Sequence, residues 1–164
     1  MIFENNKELA QRIEALAKRR VLGEVPIFED TSNYMNILGG GVIRLEGDDY
    51  FILGDTREGR FGIDDQPKFW VKRAVELTTG AQKIMKLVFY EQFSTKMGGI
   101  TVRCSRNPHK ESAFLDLVRG NARLMQGFTI IDPVGNPVRI IDFIRGQTLF
   151  NHVASMKQPH EAYF

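Results

Sequence analysis

Two lysines, Lys83 and Lys86, interrupt an apolar run at residues 78–90, TTGAQKIMKLVFY. A lysine at such a position is a candidate to bind an anion. The run has the aliphatic and aromatic composition of a buried strand, on which residues two apart share a face. Lys86 therefore points with Ile84, whereas Lys83 lies on the other face near the start of the strand, where its stem can reach water. Because burying an unpaired charge is prohibitive, we expect an anionic partner for Lys86. The alternative is an edge-strand lysine, which protects a sheet against aggregation.

The segments around this run predict the elements that would hold Lys86 in place. Apolar residues such as Leu9 and Ile13 recur at helical spacing within residues 5–20 and predict an amphipathic helix. Paired apolar runs that flank turn residues predict three hairpins. A second helix is expected to begin at Asn107-Pro108, which is typical of helix starts. The hairpins are 41–45 with 50–55, 68–77 with 81–90 and 128–131 with 138–144; the second helix is 110–126, a short strand is 100–103, and a third helix begins within 147–156.

The order of these elements indicates an α+β fold. Strands occur in runs and the helices are segregated from them, which is not the alternation of a parallel α/β sheet. We therefore expect an antiparallel sheet with a helix packed on one of its faces.

Composition limits the partners of the chain. The 164 residues are enough for one domain with a core, and a net charge of +2 gives no field that favours nucleic acid or a membrane surface. The basic stretch from Arg103 to Lys110 has no aromatic platform on which bases could stack. We expect no nucleic-acid partner and no membrane partner.

Cysteine and histidine usage points to a reducing setting without a metal site. Cys104 is the single cysteine, and the chain has no signal peptide and no long apolar run, so a cytoplasmic location is expected. The cysteine and the three histidines do not occur at the paired spacing of zinc ligands. No metal held by side chains alone is expected.

Two longer stretches carry a resemblance to a known family. WVKRAVELTTGAQKIMKL, residues 70–87, joins a strand, a Thr-Gly turn and the lysine strand, with Gly80 six residues before Lys86. VRIIDFIRGQTLFNHV, residues 138–153, follows it in the chain. In this order the two stretches resemble the N-terminal lobe of a serine/threonine protein kinase. The resemblance implies an antiparallel sheet of the five-stranded type with one packed helix, residues 70–164 forming the lobe, hinge and following helix, and residues 1–69 an added helix and hairpin.

The resemblance assigns roles to particular residues. It implies that Lys86 grips the α- and β-phosphates of ATP and that Glu111, on the helix, positions Lys86, with Asp116 as the reserve partner. These two residues, Lys86 and Glu111, are its catalytic set. Lys86 is also part of the implied nucleotide site, whose other members are Val71 and Ile84 around the adenine, Ile141 as gatekeeper, and Asp142, Phe143 and Ile144 on the hinge.

The chain also departs from the family pattern. DDQPKFWV precedes Val71 where a glycine-rich loop is customary, and we interpret the upstream Gly54, Gly59 and Gly62 as ordinary turn glycines. Ile84 is bulkier than the usual alanine. The connection between the lysine strand and the Glu111 helix is also longer than usual.

The missing motifs limit the expected activity. The sequence has no His-Arg-Asp loop to supply a base and no Asp-Phe-Gly to hold magnesium. We expect a nucleotide-binding lobe that is not catalytically competent alone, with ATP and Mg²⁺ used by a full-length parent that has a C-terminal lobe. Weak nucleotide binding and self-association through the uncovered apolar surface are expected. The alternative is a non-enzymatic α+β interaction or regulatory module.

Overall fold

The computed structural model describes residues 2–4, 7–57, 67–88 and 91–146. The elements in chain order are β1 (Ile2–Glu4), α1 (Lys7–Arg12), a π-helical turn (Ile13–Ala17), β2 (Val25–Phe28), a 3-10 turn (Tyr34–Asn36), β3 (Val42–Leu45), β4 (Asp48–Arg57), β5 (Pro67–Glu76), β6 (Gln82–Lys86), β7 (Glu91–Met97), β8 (Ile100–Arg106), α2 (Pro108–Leu117), β9 (Gly127–Ile131) and β10 (Pro137–Asp142).

The described strands form one large sheet and one separate hairpin. The large sheet has the order β1-β2-β3-β4-β5-β6-β10-β9, and β7 pairs with β8. Every pairing is antiparallel except that of β2 with β3. The fold is therefore α+β with a mostly antiparallel mixed sheet and few helices, as the element order predicts. At eight strands the sheet is wider than the five-stranded type that the resemblance implies.

The large sheet has two faces, which we call the Met85 face and the Lys86 face after two neighbouring residues of β6. The Met85 face carries the larger core cluster, which includes Tyr50, Ile52 and Ile140. The Lys86 face is covered at one end by the first helix, whose buried Leu9 and Ile13 pack over β2, β3 and β4. At its other end α2 contacts β9 and β10.

All three predicted hairpins are present, as β3–β4, β5–β6 and β9–β10. The predicted start of α2 is confirmed, because the Asn107 side chain accepts a hydrogen bond from the amide of His109 at 2.9 Å, with Pro108 in the first turn. The helix ends at Leu117, earlier than residue 126, and the chain turns at Gly120 with a φ of +81°.

Three strands lie where no strand is predicted: β1, β2 and β7. Val25–Phe28 contains a proline, yet it pairs with both β1 and β3. Glu91–Met97 pairs with the predicted short strand, which extends to Arg106. The predicted boundary between residues 69 and 70 falls inside β5, which pairs with β4. The third helix, predicted to begin within 147–156, lies outside the described residues.

Candidate functional site

Lys86 lies on an interior strand of the large sheet and faces a carboxylate on the packed helix. β6 has β5 on one side and β10 on the other, and Lys86 is directly opposite Val71 and Arg139. The Lys86 Nζ is 3.2 Å from the Glu111 Oε2. The side chains are 30% and 48% exposed, so this ion pair is partly open to solvent. The structure thus brings the two residues of the expected catalytic set together, and the edge-strand alternative for Lys86 is wrong.

The reserve partner of Lys86 is engaged elsewhere. Asp116 accepts a hydrogen bond from the Arg119 side chain at 2.6 Å, within the last turn of α2 and the residues that follow it. Both side chains are largely exposed. Glu111, in the first turn of α2, is therefore the carboxylate that the helix directs to the sheet.

Arg139 is a further member of this site that the sequence analysis missed. Its guanidinium is 3.5 Å from the same Glu111 oxygen that contacts Lys86. The Arg139 side chain also donates to the backbone carbonyls of Lys86 at 3.0 Å and of Leu87 at 2.7 Å, and it is only 4% exposed. The strand alternation of residues 137–142 was a signal for it, because it places Arg139 on the same face as Ile141.

A cavity of about 260 Å³ adjoins this ion pair between α2 and the sheet. Its charged members are two lysines and one glutamate, whereas its other members are apolar. A positively charged rim on an apolar cavity suits an anion that has an apolar body. The lining residues are Lys86, Lys110, Glu111, Phe114, Leu115, Met125 and Ile141.

The residues expected around the adenine share the face of Lys86. Val71 is directly opposite Lys86 on β5, and Ile84 is directly opposite Ile141 on β10. Val71 and Ile141 are buried and Ile84 is half-buried. The structure therefore places three apolar side chains beside the lysine, on neighbouring strands.

The expected hinge residues have different surroundings from one another. Asp142 forms an ion pair with Lys83 at 2.7 Å, and its amide donates to the carbonyl of Gln126. The amide of Phe143 donates to the carbonyl of Gln82 at 3.3 Å. Ile144 is 73% exposed, and within the described part of the chain its amide has no such bond. Of the three, Ile144 therefore has the backbone donor best suited to an external acceptor.

Among the described residues, the most deeply buried lysine is not Lys86 but Lys72, which was not among the predicted site residues. Lys72 is 1% exposed and lies on β5, and its Nζ is 2.5 Å from the Asp55 carboxylate on β4. It points to the Met85 face, away from the Glu111 site, since Lys72 and Met85 are directly opposite. The signal was present in the alternation of residues 70–74, which places Lys72 beside Ala74 on the inward face.

The described residues offer no metal site and no membrane-spanning helix. No group of three or more histidine, cysteine or acidic side chains among them is arranged to hold a metal ion. No helix in the described part of the chain is long and apolar enough to cross a membrane.

The glycines upstream of β5 are only partly described. Gly54 has a φ of +140° and lies at an irregularity in the pairing of β4 with β5. This conformation is one that glycine adopts readily, so Gly54 has a local backbone reason to be glycine. Gly59 and Gly62 lie outside the described residues.

Comparison with known proteins gave no relatives for this chain. No protein-family model, no curated protein and no solved structure matches it significantly.

Proposed function

We propose that this chain is the nucleotide-binding lobe of a serine/threonine protein kinase-like phosphotransferase and binds ATP weakly on its own. The observation that carries the proposal is the 3.2 Å contact between Lys86 on an interior strand and Glu111 on the packed helix. The arrangement around it supports the same proposal. The helix follows the lysine strand in the chain. The candidate hinge begins at the last residue of β10, the strand that pairs directly with the lysine strand.

The chemistry of binding follows from the types of these side chains. An ammonium on a rigid strand attracts the α- and β-phosphates as a point charge, and a carboxylate beside it fixes its direction. Val71, Ile84 and Ile141 offer an apolar surface to a flat base, and the backbone of Ile144 would bind its polar rim. Mg²⁺, when bound in a full-length parent, would neutralise phosphate charge.

Phosphoryl transfer by this chain alone is not part of the proposal. Transfer needs a group that orients the nucleophile and cations that stabilise the developing charge. The sequence lacks the His-Arg-Asp and Asp-Phe-Gly motifs that do this in the family it resembles. We propose that a C-terminal lobe supplies these groups.

Calorimetric titration with ATP tests the proposal. We expect a dissociation constant on the order of 1 mM for the wild type, about −4 kcal/mol, because a C-terminal lobe would supply half of the proposed pocket. Lys86→Met should weaken binding about tenfold or more, because it removes the phosphate contact. Lys96→Met is the matched control, since it makes the same change at an exposed position of β7.

Titrations with adenosine and with inorganic triphosphate would show how much the nucleoside and the phosphates each contribute to binding. Lys86→Met should affect triphosphate and ATP but not adenosine. Equal binding of ATP to the wild type and to Lys86→Met would refute the proposal. So would a wild type that does not bind ATP at all.

A non-enzymatic interaction module is the second candidate, and the β7–β8 hairpin favours it. Met97 and Ile100 are directly opposite and are 65% and 69% exposed, and Val102 lies on the same face of the hairpin. Sedimentation over a range of concentrations tests whether this surface mediates self-association. Ile100→Thr should then shift the chain toward monomer, and an unchanged oligomeric state would exclude this surface.

A further inference from the structure

β9 forms one edge of the large sheet, because in the strand order only β10 lies beside it. Edge strands commonly carry charges, prolines or bulges that discourage pairing with another chain. β9, with the sequence GFTII, has no charged residue and no proline, and it pairs with β10 without a register shift. The other described strands with a free edge, β1, β7 and β8, each contain at least one charged residue. β9 is therefore an edge that lacks the usual protection.

The free edge of β9 presents unpaired backbone groups. In an antiparallel pair, residues that exchange hydrogen bonds with the neighbouring strand alternate with residues whose amide and carbonyl point away from it. The amide of Asp142 donates to the carbonyl of Gln126, and the amide of Asp132 donates to the carbonyl of Asn136. These two bonds bracket β9 and fix the alternation, and no other described segment bonds to the groups that point outward. The outward-pointing residues are Gly127, Thr129 and Ile131.

The side chains of β9 suit an antiparallel copy of the same strand. About a twofold axis at Thr129, Gly127 of one copy lies opposite Ile131 of the other, and every outward-pointing amide meets a carbonyl. Ile131, which is 54% exposed, then lies beside a residue without a side chain. On the other face Phe128, which is 36% exposed, lies opposite Ile130. Threonine pairs and aromatic–β-branched pairs both stabilise antiparallel strands.

We propose that β9 pairs with β9 of a second copy of this chain, in antiparallel register about Thr129. The pairing joins the two large sheets into one and leaves neither copy with an open edge at β9. A second copy is the occupant because the edge is complementary to itself and no charge has to be buried. The inference does not rest on nucleotide binding, and it uses a different surface from the β7–β8 hairpin.

Sedimentation over a range of concentrations tests the pairing. The wild type should change from monomer to dimer between about 10 µM and about 1 mM. Thr129→Pro removes an amide that points away from β10, which is where an edge strand tolerates proline. It should raise the dissociation constant of the dimer at least about tenfold. A wild type that stays monomeric, or a Thr129→Pro variant that dimerises like the wild type, would overturn the inference.

Ile131→Lys covers the case in which Thr129→Pro does not fold. It places a charge on the exposed edge and should weaken the dimer about tenfold. Leu22→Lys is the matched control, because Leu22 is 82% exposed and precedes β2, near the opposite edge of the sheet. It should change the dissociation constant less than about twofold. Equal weakening by both lysines would show a general charge effect and overturn the inference, as would a dimer that only Ile100→Thr disrupts.

Amide hydrogen exchange identifies what covers the edge. The amides of Gly127, Thr129 and Ile131 should exchange several-fold more slowly at the high concentration than at the low one. The amides of Phe128 and Ile130, which face β10, should exchange slowly at both. Slow exchange of all five amides at both concentrations would show that the chain covers its own edge, which would also overturn the inference.

Discussion

At the scale of single residues, the two interior lysines illustrate different ways to accommodate a charge. Lys86 keeps 30% of its side chain in solvent and shares a carboxylate that is itself half-exposed. Lys72 is 1% exposed and depends on Asp55, which is 25% exposed. A buried ion pair of this kind is sensitive to the loss of one partner, because the other charge is then left without compensation in a low-dielectric environment.

We expect the two substitutions that break the Lys72–Asp55 pair to lower the stability of the fold by different amounts. Asp55→Ala should lower the free energy of unfolding by about 3–5 kcal/mol, because it leaves the enclosed Lys72 ammonium unpaired. Lys72→Met should cost less than about 1 kcal/mol, because methionine fills similar space and Asp55 reaches water. Urea unfolding of both variants measures the difference. Equal losses of unfolding free energy in the two variants would contradict this prediction. Lys86→Met provides the comparison for a lysine that is 30% exposed.

At the residue scale, the sequence could predict which side chains share one face of a strand. The alternation of a strand was enough to place Lys86 with Ile84 and apart from Met85, and the structure has that arrangement. Arg139 was missed although the same rule places it with Ile141. Its importance depends on which strand lies beside it, and pairing between β10 and β6 joins residues more than fifty positions apart. Alternation within one strand carries no information about that neighbour.

At the scale of elements, the hairpins were predictable because their turns are encoded locally. Thr-Gly between β5 and β6 and Asp-Pro with Gly-Asn between β9 and β10 specify tight connections. β2 was not predictable in this way, since its parallel pairing with β3 is created by a longer connection. The predicted helix of residues 110–126 was too long, because the chain turns at Gly120, whose φ of +81° is incompatible with a continuing helix.

Gly127, the first residue of β9, lies where the backbone of β9 closely approaches that of β10. A Cβ at this position would collide with the carbonyl oxygen of Ile140 and lie 2.9 Å from the Ile141 Cα, both of which are backbone atoms. Gly127→Ala should therefore displace β9 and lower the free energy of unfolding by about 1–3 kcal/mol. Thermal or urea unfolding measures this change.

Gly146 provides the matched control for that substitution. A Cβ there would meet no atom of the described chain within 4 Å, and its φ is outside the left-handed region. Gly146→Ala should change the free energy of unfolding by less than about 0.5 kcal/mol. If both substitutions were neutral, the close approach of β9 to β10 would be disproved.

At the scale of the whole molecule, one hydrogen-bonded cluster joins distant parts of the large sheet. Thr31 follows β2, near one edge of the strand order, whereas Asp132 follows β9, at the opposite edge. The Asp132 Oδ2 accepts hydrogen bonds from the amide and the hydroxyl of Thr31, each at 2.8 Å. Its Oδ1 accepts from the amide of Asn136 at 2.7 Å. The chain after β2 therefore reaches the β9–β10 turn.

Because Asp132 is ionisable, we expect the stability that its hydrogen bonds to Thr31 and Asn136 provide to depend on pH. Burial alone would raise the pKa of the Asp132 carboxyl, but hydrogen bonds from Thr31 and Asn136 outweigh it and hold the pKa below the usual value of 3.8. A carboxyl with a lowered folded-state pKa stabilises the fold above its unfolded-state pKa. That contribution is lost as the pH falls through the folded-state pKa.

Asp132→Asn tests the contribution of these hydrogen bonds. It replaces one accepting oxygen of Asp132 with an amide nitrogen, which cannot accept the hydrogen bonds that the carboxylate now receives. At pH 7 it should lower the free energy of unfolding by about 3 kcal/mol. The difference from the wild type should shrink as the pH falls below about 4 toward the folded-state pKa, because proton uptake then favours the unfolded wild type. Urea unfolding across this range measures it, with the exposed Asp116→Asn expected to change stability by less than about 0.5 kcal/mol. A difference that does not vary with pH would show that the Asp132 charge does not hold the two edges together.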